Sequence, residues 1–231
     1  MNKIKPLYLA LLIPTFLLLL IALYCAFIYA PTETSMGDVQ RIFYFHVPSA
    51  WVSFLAFFVV CLTSILYLKT GKDKWDRLAA ASAEIGVLFI VIVLITGPLW
   101  AKPVWGTFWT WDARLTTSFV LFLIYAAYLM LRSYAVNSER GARLAAVFGI
   151  VGFADVPIVY MSIRWWRTLH PQPVIAGGEG SGLAPQMLTA LLVSLLAFTV
   201  LYITLLKIRY DESALQREIL QLKEQLIKES E

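Results

Sequence analysis

Apolar runs long enough to cross a bilayer recur six times along the chain, at roughly 7–30, 48–69, 78–99, 115–132, 144–163 and 185–207. A helix needs about 20 largely apolar residues to cover the hydrocarbon thickness. The six runs therefore predict an all-α integral membrane protein with six transmembrane helices in one domain, residues 1–210. Charged residues make up only 15% of the chain, against about 25% in soluble domains. The mean hydropathy of +0.73 agrees. No basic or acidic tract suggests a nucleic-acid groove, so the surrounding partner is the lipid bilayer. The first run follows Lys3 and Lys5 like a signal peptide, but it is long and Pro31 follows Ala30 where cleavage would fall. It reads as an uncleaved helix. Cys25 and Cys61 lie inside apolar runs without a CxxC pair and read as small buried hydrophobes.

Basic residues set the orientation. With the N-terminus inside, the inner segments hold Lys3, Lys5, Lys69, Lys72, Lys74, Arg77, Arg132, Arg140, Arg143, Lys207, Arg209, Arg217, Lys223 and Lys228, fourteen of the 19 Lys and Arg. The outer connections hold the other five, Arg41, Lys102, Arg114, Arg164 and Arg167. The positive-inside rule places both termini in the cytoplasm. The end of the chain, 211–231, spaces Leu215, Ile219, Leu222 and Leu226 on one face and predicts a short amphipathic cytoplasmic helix.

The outer connections differ in chemistry from the inner ones. They carry FYFHVP, WAKPVWGTFWTWDAR and RWWRTLHPQPVIAGGEGSG, which include both histidines of the chain, His46 and His170. Seven of the eight tryptophans sit on or beside the same face: Trp51, Trp100, Trp105, Trp109, Trp111, Trp165 and Trp166. Two imidazoles make a poor zinc site, which needs three or four protein ligands. Glu33, Asp38, Asp112 and Glu179 are the nearest acids. Haem iron needs only two axial ligands, and its flat apolar ring with acidic propionates suits aromatic faces with Arg or Lys nearby. An interfacial aromatic belt accounts for Trp51, Trp165 and Trp166. It leaves Trp105, Trp109 and Trp111, clustered around Gly106, as a ligand platform. Asp112 reads as the N-cap of the fourth span. Pro48 reads as a first-turn proline opening the second span, with His46 just off the helix end. Asp155, beside Pro157, is an acid within the fifth span, and it either lines a cavity or is hydrogen-bonded inside the bundle.

WGTFWTWDARLT resembles the tryptophan-rich "WWD" signature of haem-handling proteins in cytochrome c biogenesis. Within that superfamily the chain is most similar to the cytochrome c maturation protein C (CcmC, haem exporter protein C) family. MGDVQRIFYFHVPSAW, TGPLWAKPVWGTFWTWDARLT and DVPIVYMSIRWWRTLHPQP carry the similarity, which covers nearly the whole chain. Phe108 departs from the pattern, since the family usually has Trp there. The resemblance implies haem b bound on the outer face of a bacterial inner membrane, with His46 and His170 as axial ligands. It implies a cradle of Trp105, Gly106, Trp109, Trp111, Asp112 and Arg114. It further implies transfer of the haem to a CcmE-type chaperone, beside a CcmA/CcmB ATP-binding cassette and a small CcmD-type membrane peptide. The chain has no Walker motif, so any ATP use lies in a partner. It reads as a haem-delivery subunit and not an enzyme. Two other functions compete: a stand-alone cytochrome c haem lyase, and a transporter moving haem through its own spans.

Overall fold

A computed structural model of the chain describes residues 6–134, 139–171 and 182–230. Lys3, Lys5, Glu179 and much of the third outer connection lie outside the described residues, as does the side chain of Lys228. Seven α-helices build the described fold: α1 (Pro6–Tyr24), α2 (Phe43–Thr70), α3 (Asp73–Trp105), α4 (Ala113–Tyr134), α5 (Glu139–Phe153), α6 (Asp155–Trp165) and α7 (Pro185–Ser230). With α5 and α6 counted as one interrupted span, six are long and apolar enough to cross a membrane. The protein is a multi-pass membrane protein.

The helices differ from the sequence expectation at four places, each with a local cause. The second span begins at Phe43, after a 3-10 turn at Asp38–Ile42, so Pro48 lies in the second helical turn and not the first. His46 therefore sits on α2 and not ahead of it. Likewise, α3 runs through Pro98 and Pro103 to Trp105, so Trp100 is a helical residue and not a loop residue. Prolines are tolerated here because neighbouring helices can satisfy the carbonyls they leave unpaired. The fifth span breaks at Ala154, where Pro157 has no N–H for the Phe153 carbonyl. Finally, α7 continues unbroken from the last span into the tail. No Gly or Pro follows Pro185 to end it.

Helix α2 packs along the length of α3, and α1 packs on α7. A Cβ on Gly86 would fall 2.5 Å from Phe57 Cε1, so glycine permits the close α2–α3 approach. Small residues at such contacts let membrane helices gain van der Waals packing. The core joins Phe57, Val60, Ile90, Val93, Leu121, Tyr125, Tyr128, Ala145 and Val159 from five helices. Phe57 and Tyr125 stack with ring centroids 3.6 Å apart.

Charge marks one end of the bundle. Asp76, 4% exposed, receives a bidentate pair from Arg132 at 2.6 and 2.9 Å. Around it, Arg217 pairs with Asp73, and Arg209 bonds Glu84 at 2.7 Å. Tyr8 donates to Asp211 at 2.6 Å, and Arg77 donates to Tyr210 at 3.1 Å. These contacts fasten the start of the α7 extension to α1 and α3. Beyond them, Leu215, Ile219, Leu222 and Leu226 are exposed.

Candidate functional site

At the opposite end of the bundle, α2, α3, α4 and the segment after α6 surround a cavity of about 340 Å³. Its walls are largely apolar, with a few polar groups among them, as in most small-molecule sites. Both histidines line it. The helical start at Phe43 carries His46 to one wall. His170, past the end of α6, closes another with Leu169 and Pro171. Trp100 and Trp105 come from the last turns of α3, Trp109 from the following loop, and Arg114 from the first turn of α4.

The imidazole of His46 is held on three sides by α3. Its Nδ1 lies 2.8 Å from the Thr96 hydroxyl, and a Cβ on Gly97 would lie 3.3 Å from its Cε1. Trp100 meets its face edge-on at 6.0 Å. The Nδ1 of His170 lies 2.9 Å from the Pro171 carbonyl. A carbonyl only accepts, so Nδ1 carries the proton and Nε2 keeps its lone pair. Burial, reinforced by the Arg114 guanidinium, pushes the pKa of His170 down to about 4. The ring is therefore neutral at physiological pH, the form that ligates metals.

Not every expected residue reaches the cavity. Trp105, Trp109 and Arg114 do, but Trp111 is 67% exposed and absent from the lining. Trp111 has φ 54, a left-handed conformation uncommon outside glycine. Gly106 and Asp112 act on the backbone instead. Gly106, at φ 76, ends α3 in the left-handed cap that glycine enters without a Cβ penalty, its N–H bonding the Lys102 carbonyl at 3.0 Å. Asp112 caps α4 as expected, accepting from Leu115 N–H at 3.1 Å.

Among the five expected outer cations, only Arg114 lines the cavity, and it also donates to the Val159 carbonyl on α6. Arg41 spans the carbonyls of Ala26 and Ala30 and the Asp38 carboxylate, securing the π-turn at Cys25–Tyr29. Lys102 donates to the Gly106 carbonyl at 2.9 Å and lies over Phe108. Arg164 lies over Tyr160, and Arg167 is exposed. Nor does Asp155 line the cavity, and its Oδ2 has no hydrogen-bond partner among the described residues.

Two features of the site are not evident from the sequence. Thr96 and Gly97 grip His46, and the available signal was a polar residue within an apolar span, one turn before Trp100. The first connection also folds over the cavity through Ser35 and Met36. The Glu33 carboxylate shapes that turn by accepting from the N–H groups of Ser35 and Met36. Those bonds hold its pKa below the usual carboxylate value.

The residues present fit a flat apolar metallocycle with acidic edges. Two imidazoles supply ligand nitrogens, and tryptophan faces supply the walls. The indole N–H groups of Trp100 and Trp109 are buried without a partner among the described residues. With Arg114, they offer donors to an anionic group.

The family profile described as Heme exporter protein C matches residues 1–225. The chain belongs to the haem exporter protein C family. It is 40% identical over 191 residues to Heme exporter protein C of Bradyrhizobium diazoefficiens, covering 83% of this chain and 72% of that relative. It is 33% identical over 217 residues to Heme exporter protein C of Haemophilus influenzae, covering 94% and 87%. A ccmC-like mitochondrial cytochrome c biosynthesis protein of Marchantia polymorpha is 36% identical over 177 residues, covering 77% and 75%. Membership in the haem exporter protein C family agrees with the six spans and with a cavity walled by aromatic and imidazole side chains.

Proposed function

We propose that this protein works in cytochrome c maturation by holding haem b in the cavity between His46 and His170 and presenting it for transfer. The observation that carries this reading is the meeting of both histidines, Trp100, Trp105, Trp109 and Arg114 around one cavity. In this reading the two imidazoles occupy the axial positions of the iron, which takes its other four ligands from the porphyrin. Trp105 and Trp109 wall the ring, and Arg114 faces an anionic edge. The receiver is a CcmE-type chaperone. The chain is a delivery subunit without catalytic chemistry of its own, beside a CcmA/CcmB ATP-binding cassette and a CcmD-type peptide.

The cavity end of the bundle faces the periplasm of a bacterial inner membrane. Support comes from the fourteen Lys and Arg of the other segments, which the positive-inside rule retains in the cytoplasm. Both termini are then cytoplasmic. In a cysteine-free background, a membrane-impermeant thiol reagent should label Thr34→Cys in intact spheroplasts and spare Lys72→Cys. The opposite pattern overturns the orientation. Haem b itself is tested by the pyridine haemochrome of the purified protein. A c-type spectrum, or none, contradicts the reading.

A further inference from the structure

The hydrogen bonds at His46 decide which of its nitrogens bears the proton. The Thr96 hydroxyl has a single hydrogen and two close neighbours, the Ile92 carbonyl one turn back at 2.7 Å and His46 Nδ1 at 2.8 Å. A carbonyl oxygen can only accept. The 2.7 Å contact therefore takes the hydroxyl proton, and the 2.8 Å contact must take its proton from Nδ1. The reverse assignment would leave two oxygen acceptors 2.7 Å apart with no hydrogen between them.

We propose that Thr96 is a positioning residue that holds His46 as the Nδ1–H tautomer and so keeps Nε2 as the ring's basic nitrogen. The same helix fixes the ring plane. Gly97 leaves room for the Cε1 edge, and Trp100 stands edge-on to the ring at an interplanar angle of 74°. Nε2 has no hydrogen-bond partner among the described residues. The arrangement matches that of His170, whose Nδ1 is tied to the Pro171 carbonyl. Both imidazoles thus offer the same nitrogen. A hydrogen bond to the distal ring nitrogen sets the tautomer and raises the basicity of a metal-binding histidine. The tautomer rests on the hydrogen bonds alone, whereas its use toward iron rests on the function proposed above.

Two histidines in the whole chain make a direct test practical. The full-length protein, labelled with 15N-histidine and reconstituted without haem, should show a protonated Nδ1 and a bare Nε2 at His46, assigned by comparison with His170→Ala. A protonated Nε2 at His46 in the unsubstituted protein overturns the proposal, whatever happens to any variant. Thr96→Val should give a mixed or reversed tautomer, and Thr96→Ser should restore the original pattern. In hemin titrations, Thr96→Val should bind roughly 10–100-fold more weakly, with Thr96→Ser close to the unsubstituted protein. Retention of the single tautomer and of full hemin affinity by Thr96→Val overturns the positioning role. An unsubstituted protein with the expected tautomer but no bis-histidine hemin spectrum would instead sink the haem reading and leave the tautomer standing.

Discussion

Trp111 stands edge-on to Trp109, ring centroids 5.5 Å apart, yet Trp109 walls the cavity while Trp111 is exposed beyond it. Two indoles of one signature therefore face different environments. Both also meet Phe119 of α4 edge-on, at 6.3 and 6.4 Å, so the pair is supported from below.

That division predicts separable effects. Trp109→Ala removes a cavity wall worth about 1.5–3 kcal/mol in buried area, so haem affinity should fall roughly ten- to hundredfold. Trp111→Ala should retain most of the bound haem but transfer it poorly, because an exposed indole in a left-handed backbone suits contact with the receiving chaperone. The measurement is covalent haem on the chaperone, normalised to haem held by this protein. An unchanged ratio in Trp111→Ala would make the exposed indole irrelevant to transfer.

Asp112 tests the helix cap behind the loop. Its carboxylate accepts from Leu115 N–H at 3.1 Å and from the Thr110 hydroxyl at 3.2 Å. Asp112→Ala should cost about 1 kcal/mol through the lost cap, whereas Asp112→Asn should recover most of it. Thermal unfolding in detergent, with the three proteins compared, gives the answer. Equal midpoints for Ala and the unsubstituted protein would remove the cap from the account.

The charged end makes a separate prediction. Asp76 is buried with both oxygens bound by Arg132. Removing Arg132 leaves this buried carboxylate with the longer Arg217 contact at 3.6 Å, at a cost of up to about 3–5 kcal/mol. Arg132→Ala should therefore destabilise the bundle strongly, while haem bound per folded molecule stays unchanged because the cavity lies at the other end. Replacing both partners by apolar residues should recover much of the loss.

The spans were legible because hydropathy reports length and composition directly, and Trp105, Trp109 and Arg114 of the signature line the cavity. The rest depended on tertiary placement. Pro48, Pro98 and Pro103 resemble helix boundaries by local rule, but the backbone stays helical through each of them, as a membrane bundle tolerates. Arg41, Lys102 and Arg114 look alike in sequence. Backbone carbonyls claim the first two, and only the third reaches the cavity. Thr96 gains meaning from His46, a residue of another helix, which periodicity within α3 does not reveal.

Acid should release haem late. Burial, together with the Arg114 guanidinium, holds the pKa of His170 at about 4, below the ordinary histidine value of 6.5. The folded protein therefore keeps this ring neutral as pH falls from 7 to 5, although the unfolded chain takes up a proton near pH 6.5. Fold stability from this group is complete above 6.5 and declines toward 4, while haem retention stays flat down to about pH 5. Loss of bound haem centred near pH 6.5 would show that His170 titrates as an exposed imidazole.

The absorption spectrum of the purified protein, oxidised and then reduced, tests the central claim most directly when compared with His46→Ala and His170→Ala. The unsubstituted protein should give a low-spin b-type spectrum, and each variant should shift toward high spin with weaker retention. A low-spin spectrum unchanged in both variants would contradict the assignment of His46 and His170 to the iron.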